Sequence, residues 1–327
     1  MITGIGSFPF TSVDEAIDLI FDTCSQIPFW PQLPQRSPLE NMYTTFLEGV
    51  PCLVADEKRN TTFMHTEHVD GIEKFYEDVA NDNIEAFRIT EKVAPGFYRF
   101  LDRLEEIRTG VKYIKCQLTG PFSLGLGLKD ERDKPIIYNN AFYDIIKKAI
   151  RLKARWMLKM LKAAYPEKEI IIFFDEPYMV SFGSSYVSVS RQEATSIFNE
   201  VLQGLEAKRG VHVCGNTDWS VLLNADVDMI NYDAYGYLDT IFFYAEDLGR
   251  YLAKGGLIAP GIVPSSEQVI DTSLDDVLKL RSAFIREMGK VSREAASRDH
   301  IFTTSCGVGS LTKEAATRAM MLLKELG

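Results

Sequence analysis

Eight short runs rich in β-branched and aromatic residues alternate with amphipathic stretches along almost the whole chain. The runs that we predict as strands are residues 2–6, 27–33, 113–118, 170–174, 210–214, 228–232, 257–262 and 301–304. In the stretch 142–165, apolar residues recur mainly at three- and four-residue spacings, which is typical of an amphipathic helix. Eight strands that alternate with helices predict an α/β fold, and specifically a (β/α)8 TIM barrel.

An open, doubly wound sheet is the alternative architecture for the same alternation. No G-x-G-x-x-G motif opens a helix after the first predicted strand, which argues against the dinucleotide-binding version of that fold. Residues 56–104 are polar and irregular, and they predict a hairpin or lid inserted between strands two and three. Because no linker, repeat or low-complexity tract divides the chain, we treat residues 1–327 as one domain.

The composition excludes several classes of protein. The chain has 36 basic and 46 acidic residues, a net charge of −10, and no basic stripe, which argues against binding to nucleic acid or to anionic membranes. The sequence predicts neither a signal peptide nor a transmembrane helix, because no apolar run has the required length. The five cysteines are odd in number and widely scattered, which favours reduced thiols and a cytoplasmic location.

Soft metal ligands occur at the ends of two predicted strands. His212 and Cys214 are alternate residues and therefore share one face of the fifth strand, and Cys306 follows the eighth. Since the carboxyl ends of barrel strands meet at one rim, the three side chains predict a catalytic zinc site with an open position. The alternative is a buried histidine with packed thiols. A fourth ligand could be Asp233, which we favour as a carboxylate, Asn231 on the same face, or a water or substrate.

Asp175 and Glu176 follow the fourth predicted strand. Adjacent residues of a strand point in opposite directions, so one carboxylate is expected at the barrel mouth and the other against a loop or helix terminus. A mouth-facing Asp175 could bind a substrate ammonium group. The alternative is a helix N-cap before Pro177, because acidic caps and an early proline both favour a helix start.

Taken together, five short motifs at these strand ends resemble the catalytic domain of cobalamin-independent methionine synthase, in the same order and over nearly the whole chain. The motifs are Ile5-Gly6-Ser7-Phe8-Pro9, Leu118-Thr119-Gly120-Pro121, Asp175-Glu176-Pro177, His212-Val213-Cys214 and Cys306-Gly307. Residues 212–217 also resemble the zinc motif of methylcobamide:coenzyme M methyltransferases, which belong to the related uroporphyrinogen decarboxylase-like barrels.

The resemblance implies a (β/α)8 barrel with one zinc, which transfers a methyl group to a thiol such as homocysteine. On this analogy the metal is held by His212, Cys214 and Cys306, with Asp233 as the candidate fourth ligand. Asp175 would take the amino group of the substrate. The segment Ile5, Gly6 and Ser7 would take its carboxylate.

Three departures from the family pattern refine this expectation. The chain resembles the short, single-barrel form, for which a methyl-corrinoid protein is the expected donor and methyltetrahydrofolate the second choice. Asn231 stands where the family has a glutamate ligand after strand six, and Asp233 follows two residues later. Thr44 stands where the family has an acid that binds the homocysteine amine, with Glu40 as a possible substitute, so a different thiol acceptor is credible.

Three rival functions remain open. The first is a methylcobamide:thiol methyltransferase of the coenzyme M type. The second is a metal-free decarboxylase of the uroporphyrinogen type, which relies on arginines at the barrel mouth, where Arg36 is the nearest candidate. The third is a thiol- or corrinoid-binding protein without catalysis, which the absence of an acid at Thr44 favours.

Overall fold

The computed structural model describes residues 1–56 and 61–327. The α-helices in these ranges are α1 (Val13–Thr23), α2 (Thr44–Leu47), α3 (Ile72–Ala80), α4 (Pro95–Arg103), α5 (Pro121–Gly127), α6 (Asn140–Ala164), α7 (Arg191–Leu202), α8 (Ser220–Leu223), α9 (Ala234–Tyr237), α10 (Ala245–Ala253), α11 (Leu274–Val291), α12 (Arg293–Ser297) and α13 (Lys313–Lys324). The strands are β1 (Leu53–Asp56), β2 (Thr61–Met64), β3 (Tyr113–Thr119), β4 (Glu169–Asp175), β5 (Lys208–Val213), β6 (Met229–Asp233), β7 (Leu257–Val263) and β8 (Thr303–Thr304).

Strands β3 to β8 form one curled parallel sheet in sequential order, with helices between them, so the predicted α/β class is confirmed. The alternation of side chains divides the core into two layers. Ile170, Ile172 and Phe174 belong to the large cluster between sheet and helices, whereas Ile171 and Phe173 belong to a small cluster inside the curl. The concave face of the sheet is therefore a separate, mostly apolar interior.

The two N-terminal predicted strands are not continuous strands in the structure. Residues 2–6 and 27–33 contribute only isolated parallel bridges, which pair Ile2 with Phe302, Ser7 with Gln32, and Phe29 with Lys115. Residues 27–33 contain two prolines, which lack the N–H group that a ladder requires, and residues 2–6 contain two glycines, which weaken a strand. Residues 2–6 and 27–33 therefore form isolated bridges where eight continuous strands were predicted.

The predicted insertion begins earlier than expected. β1 and β2 pair as an antiparallel hairpin that starts at Leu53, with Leu53 opposite Met64, and α3 and α4 follow it. Residues 57–60 of the predicted insertion lie outside the described residues. Among the described helices, none combines the length and the apolar character that crossing a membrane requires.

The helix α5 is tied to the end of β4 by a buried carboxylate. Glu176 accepts hydrogen bonds from the backbone N–H groups of Phe122 (3.0 Å) and Ser123 (2.6 Å), where an anion is stabilised by the free N–H groups of a helix N-terminus. Gly120 allows this approach, because a Cβ atom there would lie 2.1 Å from Glu176 Oε1. Glu176 is thus the member of the acidic pair that holds a helix terminus, which leaves Asp175 for the mouth.

We predict that Gly120→Ala lowers the free energy of unfolding by about 1–3 kcal/mol, because the added methyl group displaces Glu176 from the N-terminus of α5. Chemical denaturation measures the change. Gly249→Ala, in the middle of α10, is the matched control and should be neutral or stabilising by up to about 1 kcal/mol, since no close neighbour meets its Cβ. Equal effects of the two substitutions would contradict the packing argument.

Candidate metal centre

Three soft donor atoms converge at the carboxyl end of the sheet. His212 Nε2 lies 3.1 Å from Cys214 Sγ, and Cys214 Sγ lies 2.7 Å from Cys306 Sγ. These are the described residues whose His, Cys, Asp or Glu ligand atoms form a group of three or more within 4.8 Å of one another. The structure therefore brings together the three residues that the sequence predicts as metal ligands.

The chemistry of the donor set fits zinc. One imidazole nitrogen and two thiol sulfurs, with no fourth His, Cys, Asp or Glu among the described residues joining the group, match the ligand types and the open position of a catalytic zinc site. In a tetrahedral site with Zn–S bonds of about 2.3 Å the two sulfurs are roughly 3.8 Å apart, so metal binding would separate this pair by about 1 Å.

The electrostatics of the two thiols also favour a cation. The hydrogen bond from Cys214 holds the pKa of Cys306 well below its usual range, although burial acts in the opposite direction. The same hydrogen bond, together with burial, raises the pKa of Cys214 well above its usual range. These opposite pKa directions favour ionisation of Cys306 before Cys214, and a metal ion would supply the charge that a second thiolate needs.

The two candidates for a fourth ligand have other partners. Asp233 is half-buried, and its Oδ1 atom accepts a hydrogen bond of 2.8 Å from the backbone N–H of Gly236, at the N-terminus of α9. Asn231 is buried beside His212, and its Oδ1 atom faces His212 Nδ1 rather than the sulfurs. Among the described residues, the group of donor atoms does not include the Asp233 carboxylate.

Asp175 lies beside His212, because the two residues pair across β4 and β5. Its Oδ1 atom is buried and has no hydrogen-bond partner among the described residues. Burial raises the pKa of Asp175 to about 6, while His212 and Lys115 act in the opposite direction. An unpaired buried carboxylate oxygen is costly unless a ligand supplies the partner, which is the arrangement expected for binding an ammonium group.

A buried lysine, which was not predicted as a site residue, lies below this carboxylate. Lys115 is only 2% exposed, and its Nζ donates to the Ile5 carbonyl (2.6 Å) and to Gln117 Oε1 (3.1 Å). Burial lowers the pKa of Lys115 to about 8, and Asp175 opposes this effect. The available signal was the position of two polar residues, Lys115 and Gln117, at alternate sites of an otherwise apolar strand.

A cavity of about 760 Å³ opens in front of the donor atoms. Predicted site residues that line it are Ile5, Ser7, Asp175, His212, Cys214 and Cys306. Gly6 instead packs against Gln117, whose Nε2 would lie 2.6 Å from a Cβ at that position. The opposite wall consists mainly of residues 38–44 together with Leu47, Thr62 and Leu128. Of these residues, only Glu40 and Thr44 were considered as substrate contacts from the sequence.

The fold is shared with known methyltransferases. A B12-independent methionine synthase from Shewanella sp. W3-18-1, in complex with selenomethionine, superposes with a TM-score of 0.57 at 15% identity, covering 99% of this chain and 96% of that one. A methyltransferase from Methanosarcina mazei superposes with a TM-score of 0.58 at 12% identity, covering 99% and 93%. Neither a protein-family model nor a curated protein sequence matches the chain. At these identities the likeness shows the fold alone.

We predict that Cys214→Ser and Cys306→Ser lose bound zinc while the fold is retained, since each removes one of three donors. The loss of zinc affinity should exceed the roughly 10- to 100-fold that is typical of outer-shell substitutions. Cys116→Ser is the control, because Cys116 is buried in β3 away from this group. Metal analysis after reconstitution measures the content, and full zinc in both site variants would mean that the assignment is wrong.

We also predict that Asp175→Asn stabilises the metal-free protein, with a gain that grows as pH rises from about 4 to above 6 and reaches about 3 kcal/mol. The reason is that the pKa of Asp175 in the folded protein, about 6, lies above its unfolded value, so wild-type stability falls as the carboxyl ionises. Denaturation at several pH values measures the difference. A gain that does not change with pH would contradict the assignment of an unpaired buried carboxylate.

Proposed function

We propose that this protein is a zinc-dependent methyltransferase that transfers a methyl group to a thiol, with homocysteine as the leading acceptor. The observation that carries the proposal is the convergence of His212 Nε2, Cys214 Sγ and Cys306 Sγ at the floor of a cavity. The fold that the chain shares with a B12-independent methionine synthase and with a methyltransferase supports methyl transfer as the reaction class. The sequence motifs that resemble cobalamin-independent methionine synthase point to the same class.

The proposal includes a single (β/α)8 domain spanning residues 1–327, of the short, single-barrel form. The bridges of Ile2 with Phe302, Ser7 with Gln32, and Phe29 with Lys115 support it, because they join the two N-terminal segments to each other and to both edges of the six-stranded sheet. All five cysteines are free thiols, which suits the cytoplasmic location that we propose.

In the proposed reaction, His212, Cys214 and Cys306 would hold the metal, which would lower the pKa of the acceptor thiol so that the thiol loses its proton to solvent at neutral pH. The sulfur lone pair of the acceptor attacks the methyl carbon. A carbon–sulfur bond forms, and the bond from the methyl group to the donor breaks, with its electron pair staying on the donor. We propose a methyl-corrinoid protein as the donor and methyltetrahydrofolate as the second choice.

The remaining cavity residues orient the acceptor. Asp175 offers its unpaired Oδ1 to the amino group, and the segment Ile5, Gly6 and Ser7 offers backbone and hydroxyl groups to the carboxylate. Thr44 cannot act like the missing acid, because its side chain is a neutral hydroxyl, and the hydroxyl oxygen already accepts a hydrogen bond of 2.8 Å from Asn41 Nδ2.

The charge of the cavity bears on which thiol is accepted. Its described lining residues include two acids, Asp175 and Glu40, and no lysine or arginine. Glu40 is buried, and one of its oxygens pairs with Arg36 at 2.7 Å. This lining favours a thiol that carries an ammonium group over one that carries a sulfonate, as in coenzyme M. It also disfavours a decarboxylase of the uroporphyrinogen type, which would require arginines at the mouth.

The first experiment compares zinc coordination by X-ray absorption without thiol and with L-homocysteine, 4-mercaptobutyrate or 2-mercaptoethanesulfonate. 4-Mercaptobutyrate is homocysteine without its amino group. We expect about one zinc per chain with two sulfur neighbours, and a third sulfur with homocysteine in preference to the other two. Methyl transfer from methylcobalamin, a small-molecule probe for a corrinoid donor, should follow the same order.

Asp175→Asn should reduce the preference for homocysteine over 4-mercaptobutyrate by roughly 10- to 100-fold, which corresponds to one charged hydrogen bond. Glu40→Gln tests whether the second carboxylate contributes. Absence of zinc after reconstitution would rule out the proposed function. Zinc and thiol binding without methyl transfer from either donor class would support the non-catalytic rival instead.

A further inference from the structure

We propose that Asn231 is a positioning residue that fixes His212 in the tautomer with its proton on Nδ1, so that Nε2 keeps a lone pair for the metal. This inference rests on the proposed function in one respect, namely that the site holds a metal. It assigns a role to the residue that stands where the family resemblance expects a fourth ligand.

The direction of the hydrogen bonds follows from the partners of the Asn231 amide. Its Nδ2 donates to the Ala259 carbonyl (2.6 Å), which can only accept, and to Thr303 Oγ1 (2.8 Å). The Thr303 hydroxyl donates its own proton to the Thr304 carbonyl (2.8 Å), so its oxygen is free to accept. Both protons of the Asn231 amide are therefore donated to Ala259 and Thr303, and the amide oxygen must face His212.

An amide oxygen can only accept a hydrogen bond, so the ring nitrogen that it meets must carry a proton. His212 Nδ1 is that nitrogen. In the neutral imidazole the other nitrogen, Nε2, then has the lone pair, and Nε2 is the atom that lies 3.1 Å from Cys214 Sγ. The proton and the lone pair are thus placed on opposite sides of the ring, with the lone pair toward the sulfurs.

Burial and strand pairing make this arrangement rigid. His212, Asn231 and Thr303 are each only 1% exposed, so water does not compete for the hydrogen bonds. Asn231 is paired with His212 across β5 and β6 and with Ala259 across β6 and β7. The sheet itself therefore sets the distances in this network.

The arrangement also limits the number of protein ligands. Asn231 does not bind the metal in this arrangement, because its oxygen faces His212 Nδ1, on the opposite side of the ring from the donor atoms, and its nitrogen has no lone pair to offer. The site would then have three protein ligands and a fourth position for the acceptor thiol. A hydrogen bond that fixes the ligating histidine contributes about 10- to 100-fold to metal affinity in zinc proteins.

The test compares wild type, Asn231→Leu, Asn231→Asp and the control Asn199→Leu. Asn199 is a partly buried asparagine on helix α7 that accepts a hydrogen bond of 2.7 Å from the backbone N–H of Asp226, away from the donor atoms. Competition with a chromogenic chelator measures the zinc dissociation constant. We expect Asn231→Leu to weaken zinc binding by about 10- to 100-fold. Asn231→Asp should recover most of this loss, because a carboxylate still accepts a hydrogen bond from Nδ1. Asn199→Leu should bind zinc as wild type does.

Long-range ¹H–¹⁵N NMR of the zinc-loaded wild type gives a readout that a purely structural role would not produce. The chain has four histidines, so the His212 signals can be assigned, and we expect a protonated Nδ1 and a metal-shifted Nε2. X-ray absorption should find one nitrogen and two sulfur neighbours from the protein in wild type and in Asn231→Leu alike.

A metal bond through Nδ1, or the loss of a nitrogen or sulfur neighbour of zinc in Asn231→Leu, would overturn the inference. Equal weakening in Asn231→Leu and Asn231→Asp would also overturn it, since the role would then be packing. These outcomes differ from failure of the proposed function, in which the wild type itself binds no zinc or transfers no methyl group.

Discussion

The candidate site depends on the parallel, in-register pairing of β4, β5 and β6. This pairing sets Asp175, His212 and Asn231 side by side in one row, and the period of two turns all three toward the interior of the curled sheet. A shift of one residue in either strand pair would point His212 into the apolar layer that packs against the helices. Metal ligation, substrate contact and the tautomer of the histidine therefore all rest on backbone hydrogen bonds.

Polar groups that are buried inside a curled sheet lose their hydrogen bonds to water. A connected network of protein hydrogen bonds replaces most of them here. Lys115 is held by the Ile5 carbonyl and by Gln117, and Asn231 is held by Ala259, Thr303 and His212. Within this network Asp175 Oδ1 lacks a partner. Because unpaired buried acceptors are rare in native proteins, this atom and the three soft donors beside it mark where external groups are expected.

The cavity suggests how selectivity could be divided between its two sides. The side formed by strand ends carries the donor atoms and Asp175, which are the groups that would take part in chemistry or hold the amine. The other side comes from residues 38–44, from Leu47 and from the inserted hairpin, which reaches the cavity at Thr62. Loops and insertions vary more readily than strands, so changes of acceptor within this fold would arise on that second side.

Much of this arrangement could be read from the sequence by itself. The alternation of apolar runs predicted the α/β class, and the spacing of His212 and Cys214 predicted that both would share a face near Cys306, because strand periodicity and the meeting of strand ends are local rules. The same rules predicted that Asp175 and Glu176 would point in opposite directions, and in the structure one lies at the cavity and the other at a helix terminus. They failed where proline and glycine reduced residues 2–6 and 27–33 to isolated bridges.

Only the tertiary structure decided what Asn231 and Lys115 do. Both lie within a strand where the sequence allows several partners, and the choice depends on residues up to 110 positions away, such as Thr303 for Asn231 and Ile5 for Lys115. Hydrogen bonds between distant segments are set by sheet register and packing, which no local pattern encodes. The sequence by itself thus determined which residues could carry chemistry, and the fold decided which atoms face one another.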